Sequence, residues 1–132
     1  MATTATITLS SADIAGDPVN VSKTATCTKA GTTTDLDQST GLNRVHLRST
    51  TQKVLLAGNA EGNDLAAKVY IINKATDTTL YCTVAINAEE VGLLYAGDWA
   101  LIPWSAHDAD NDIKIDPSAA DMVLEHMLFT DE

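Results

Sequence analysis

Basic side chains are scarce in this sequence: eight Lys and Arg stand against eighteen Asp and Glu, for a formal net charge of −10. The deficit sits in one half. Residues 1–66 hold five basic and six acidic residues, residues 67–132 three and twelve. Such a surface lacks the basic patch that DNA or RNA phosphates require, and it is repelled by anionic membranes. The expectation is no nucleic-acid partner and no membrane partner. The same charge suits solubility; its sharper reading is an acidic face that docks a basic partner or holds cations.

Cysteine is nearly absent too. Cys27 and Cys82 are the only two, far apart and without a CxxC pair, which excludes a disulfide framework and is a poor zinc signal. The start, MATTATITLS, has neither the basic segment nor the continuous apolar core of a secretory signal. Both cysteines therefore read as buried free thiols. No run approaches the ~20 apolar residues of a membrane-spanning helix. Helical periodicity is missing from the first forty residues, eleven of which are Thr. Threonine's branched Cβ suits a pleated strand, so helix is expected to be a minor component.

Aromatics are few, and five of the six fall between Tyr70 and Trp104. That stretch carries the longest series of strand and turn signals. KVYIIN (68–73) reads as a strand, 74–78 as a hairpin loop, and LYCTVAIN (80–87) as a strand with Leu80, Cys82, Val84 and Ile86 on one face. Ala88-Glu89-Glu90 is expected to turn the chain into VGLLY (91–95), and Ala96-Gly97-Asp98 to turn it into WALIPW (99–104). Pro103 donates no ladder hydrogen bond, so that strand ends there or lies at an edge. The series predicts a meander needing a second layer over its apolar face.

Elsewhere, 3–9 reads as a strand, and 19–22 with 25–29 as a weakly apolar, peripheral strand or pair. Residues 30–41 form a long polar loop. Arg44 to Arg48 alternates cleanly, with Val45 and Leu47 inward. Short strands follow at 53–57 and 112–116, the latter with Ile113 and Ile115 inward. MVLEHMLF (122–129) predicts a closing strand buried on both faces. Nine or ten strands result, and 132 residues suffice for one domain with a real core.

Chemistry-bearing constellations are thin. Asp108, Asp110 and Asp112 alternate as in a calcium loop, but Ile113 and Ala119 occupy the positions where an EF-hand needs Gly and Glu; a looser site from Asp108, Asp110 and Asp116 is the remaining metal candidate. His46 reads as exposed, His126 as a hydrogen-bonded residue near the core, and with His107 they show no zinc spacing. Glu89 and Glu90 point apart as neighbours and make a poor acid–base pair. No nucleophile elbow, P-loop or dinucleotide fingerprint occurs, so no enzyme and no cofactor are expected. Trp99 and Trp104 are candidate glycan contacts, but five positions apart in one strand they face opposite sides, one core and one surface.

A strand ending in Asn73, a hairpin, a turn containing Gly97, a strand closing in Pro103-Trp104 and a terminal strand near Phe129 together resemble small virion structural proteins of tailed bacteriophages, above all marine phages, including those of cyanobacteria. The likeness spans residues 68–129, about half the chain. Many such proteins have Pro-Gly where this one has Ala96-Gly97. The resemblance implies a virion component without catalytic residues and leaves head or tail open. The reading is therefore all-β: an antiparallel β-sandwich, with a jelly roll as one form it can take. Residues 42–132 would form the body, and residues 1–41 an extended N-terminal arm and loop docked on the same domain or a neighbour. The expected role is a capsid decoration or cement protein on the outer head surface, located in the virion after assembly in the host cytoplasm. Its partners would be the major capsid protein or other virion proteins, and copies of itself as a homotrimer. The alternatives are a tail, baseplate or fibre-associated subunit, and a carbohydrate-binding module for host glycans.

Overall fold

The structure, a computed structural model, describes residues 3–12, 16, 19–27, 36, 38–58, 66–105 and 109–130. These residues fold into eleven strands: β1 (Thr4–Ser11), β2 (Val19–Thr26), β3 (Gln38–Ser39), β4 (Asn43–Leu47), β5 (Lys53–Leu56), β6 (Ala66–Asn73), β7 (Tyr81–Ile86), β8 (Glu89–Tyr95), β9 (Trp99–Ser105), β10 (Ile113–Pro117) and β11 (Met122–Thr130). No helix occurs among them, and every ladder is antiparallel.

Two sheets face each other. One runs β5-β10-β7-β8. The other runs β11-β6-β9, with β4 and β3 completing its far side along β11. β3 and β4 are in effect one edge strand broken at Thr40–Leu42, where Gly41 takes φ +74°. There the Thr40 side chain continues the ladder: its Oγ1 accepts from the Leu128 N–H at 3.1 Å. From β4 onward every connection passes from one sheet to the other except the β7–β8 hairpin.

Alternation builds the core. Val69 and Ile71, Cys82 and Val84, Ile113 and Ile115, and Met122, Leu124 and Leu128 all point between the sheets, joined by Leu47, Leu94 and Trp104. Among the described residues, none before Val45 belongs to this core or packs against it as an apolar neighbour. Both thiols are buried and unpaired. Burial, with Asp116 nearby as the lesser cause, pushes the Cys82 thiol up to about 11.

The expected meander is not what forms. β6 and β7 lie in different sheets, so residues 74–80 make an arch between sheets and not a hairpin. β6 instead pairs with β11 and β9, and β7 with β10 and β8. A polar loop of that length serves a hairpin and an arch equally well, so partners distant in sequence decide.

Asn73, fully buried, ties the arch down. Its N–H donates to the Asp98 carbonyl at 3.0 Å, and its carbonyl accepts from the Gly97 N–H at 2.8 Å. Its Nδ2 donates to the Leu94 carbonyl at 2.9 Å, and its Oδ1 accepts from the Ala75 N–H at 2.9 Å. Gly97 meets this with φ +85°, a backbone region that costs a non-glycine residue about 1–2 kcal/mol. Buried backbone groups left unpaired cost about 1–3 kcal/mol each, so one asparagine side chain secures two of the sheet-to-sheet crossings at this end.

The β7–β8 turn also differs from expectation. It consists of Asn87 and Ala88, at φ 52° and 61°, and Glu89 and Glu90 already belong to β8. Pro103 lies inside β9, tolerated because β9 is a sheet edge.

Candidate functional site

β1 and β2 form a two-stranded sheet of their own, paired over eight residues from Thr4 opposite Thr26 to Ser11 opposite Val19. Directly opposed residues share a face. One face therefore carries Thr4, Thr6, Thr8 and Ser10 with Asn20, Ser22, Thr24 and Thr26; the Thr6 and Thr24 hydroxyls are 2.7 Å apart. The other carries Ala5, Ile7 and Leu9 with Val19, Val21 and Ala25, interrupted by Lys23 and, at the tip, by Ser11. Ile7, Leu9, Val19 and Val21 are all exposed.

At the root of this hairpin, Cys27 donates its N–H to the Thr3 carbonyl at 2.8 Å, and its carbonyl accepts from the Leu36 N–H at 2.9 Å. Cys27 and Leu36 are buried. The outward face of the β11-β6-β9 sheet beneath is apolar. Tyr70, Trp99, Leu101, Met127 and Phe129 line a cleft of about 220 Å³ against the first residues of β1. A larger cleft of about 550 Å³ continues from it, walled by Ala5, Ile7, Lys23 and Ala25 on one side and by Trp99, Ala100 and Leu101 on the other. Alternation in β1 and β2 signals the amphipathic hairpin in the sequence. The cleft has no sequence signal, because its two walls are some ninety residues apart.

The two tryptophans divide as expected. Trp104 is 3% exposed, with Nε1 donating to the Asn111 carbonyl at 2.7 Å, so it presents no face to a sugar. Trp99 is 51% exposed and tilts against Tyr70 at a centroid distance of 6.4 Å. Of the metal candidates, Asp108 lies outside the described residues. Asp110 sits in the turn before β10, and Asp116 near the far end of that strand. Asp112 is engaged by the Gly58 N–H at 2.6 Å. No cluster of three metal-ligating side chains occurs among the described residues.

His46 is exposed, and its Nε2 lies 3.0 Å from Asp121 Oδ1. His126 is buried, but its Nδ1 has no partner, in contrast to the hydrogen-bonded residue expected. Its neighbours on β11 explain this: it shares a face with Leu124 and Leu128, two residues to either side, and faces an interior with little to offer a ring nitrogen. Glu125, on the opposite face, lies 3.6 Å from both Arg44 and Lys74 and is shielded from solvent. Glu89 and Glu90 are exposed strand neighbours. His107 lies outside the described residues.

The class defined by these features is an antiparallel, two-sheet all-β domain bearing a separate amphipathic hairpin over an apolar cleft. Comparison with family models, curated proteins and solved structures gave no significant match.

Proposed function

We propose that this protein is a non-enzymatic structural subunit of a bacteriophage virion, acting as a decoration or cement protein on the outer head surface as a homotrimer. The observation that carries the reading is the hairpin: eight paired residues outside the core, with an uncovered apolar face. An isolated two-stranded hairpin is marginal in water, so its stability is best accounted for by a surface on which it docks. The body supports the same reading. Strand orders β4-β11-β6-β9 and β5-β10-β7-β8, with one hairpin among sheet-to-sheet crossings, support reading the body as a jelly roll, an architecture used in viral capsids and in lectins. The hairpin and the segment to Gly41 would contact the major capsid protein, and the acidic body would face solvent.

Deleting residues 2–29 tests this. The truncated chain should stay soluble and β-rich, because none of the segment's described residues belongs to the core between the sheets, and should no longer bind particles stripped of the protein. Undiminished binding by a folded truncation refutes the assignment. Copy number per virion separates head from tail or baseplate. The glycan-binding alternative draws on exposed Trp99 beside Tyr70; glycan binding lost in Trp99→Ala would favour it.

A further inference from the structure

We infer that the hairpin docks on a second copy of this chain: the apolar tip, Leu9 with Val19 and Val21, seats in the cleft between the hairpin root and Trp99 of a neighbour. The inference rests on reading the hairpin as the assembly element and names what its apolar face meets.

Four observations lead to it. The edges of the body are guarded against strand addition. β9 contains Pro103, β8 carries Glu89 and Glu90 and a register shift opposite Val84 and Ala85, β5 has four residues, and the β3–β4 edge is interrupted. The hairpin has none of these devices: its ladder runs unbroken through eight pairs. Secondly, tip and cleft are complementary within one sequence and yet cannot meet within one molecule. The cleft lies under Ala5, Ile7 and Ala25, and Leu9, Val19 and Val21 lie farther along the same ladder. A paired ribbon does not fold its tip back under its own root.

Charge permits a second copy as occupant here more than elsewhere on the surface. In a chain of net charge −10, the strands β1 and β2 hold a single charged residue, Lys23, the sequence joining them holds two carboxylates, Asp13 and Asp17, and the described residues of the cleft walls hold none. Copies therefore approach with least repulsion through this region. Finally, the contact joins unlike surfaces, so every copy can both give a tip and receive one, and a rotation between copies that closes makes a ring. The tip half of the ribbon, four residue pairs, presents roughly 130 Å² per face, about 260 Å² per subunit once given and received. That is far below the ~800 Å² per partner of standard interfaces, and fits a weak, concentration-dependent association. The hydroxyl-bearing face remains free to meet the shell.

The test uses the full chain without particles, so its outcome is separate from that of particle binding. Sedimentation across about 5–200 µM should show concentration-dependent closed oligomers. The double variant Leu9→Glu, Val21→Glu should weaken association at least about tenfold with an unchanged β-sheet spectrum. A Val21→Cys chain mixed with a Trp99→Cys chain should form a disulfide-linked pair under mild oxidation, because the native thiols are buried; neither chain alone should do so. A wild-type monomer at every concentration overturns the inference and leaves the shell as the hairpin's only occupant. Val21→Cys chains that link to one another and not to Trp99→Cys overturn it in favour of tip-to-tip pairing.

Discussion

His126 shows how one side chain sets a condition on the whole fold. Its ring is enclosed with Nδ1 unpaired, and burial lowers its pKa below the ordinary 6.5. The unfolded chain therefore binds the proton more readily than the folded one between those two values, and stability rises with pH there. The contribution is fully present above about pH 6.5 and is lost as pH falls toward the folded-state value. Denaturant unfolding at pH 7.5 and 5.5 should show lower stability at the acid end, by at most about 1.4 kcal/mol per pH unit. His126→Leu should flatten that difference, and an equal difference in the variant would assign it to other groups. Asn73 works in the other direction: a buried polar residue whose amide is satisfied at both ends, and which stabilises because of it.

Among the elements, the β7–β8 hairpin holds a correctable strain. A two-residue turn with both φ values positive matches strand twist but favours Asn-Gly, and this chain has Asn87-Ala88 at φ 52° and 61°. Ala88→Gly removes the Cβ conflict, worth about 1 kcal/mol, against a smaller gain in unfolded-chain entropy. The variant should be about 0.5 kcal/mol more stable, raising Tm by a few degrees. A lower Tm would show that Ala88 is held without strain. The exposed loop of the arch is likewise set by its own residues. Asp77 accepts from the Thr79 hydroxyl at 2.7 Å and from its N–H at 2.9 Å, which holds the Asp77 carboxyl below its usual value.

Across the whole molecule, acidity and the hairpin act against each other. Copies with charge −10 repel, and the Debye length falls from about 30 Å at 0.01 M salt to about 8 Å at 0.15 M. An association held by apolar side chains should therefore tighten when salt rises from about 0.02 to 0.3 M. Sedimentation at the two salt concentrations reads this directly. Loosening would mean that ion pairs, and not Leu9, Val19 and Val21, hold the copies together.

What the sequence determined by itself was local. Val45 and Leu47, Cys82 and Val84, Ile113 and Ile115 all turn inward as alternation requires, and Trp99 and Trp104 separate to surface and core, because a strand's side chains alternate whatever its partners are. The closing strand was legible over 122–129 from apolar residues on both faces, interrupted by Glu125 and His126, and the all-β class from threonine and the missing helical period. Partner choice was not legible. That 74–80 is an arch, that β6 lies between β11 and β9, that Asn73 binds two crossings, and that His126 Nδ1 lacks a partner all depend on segments tens of residues away. The same holds for the cleft, whose walls come from β1, β2 and β9. Alternation selects the face a residue takes. Only the competition among all strands for two edges each selects what that face meets.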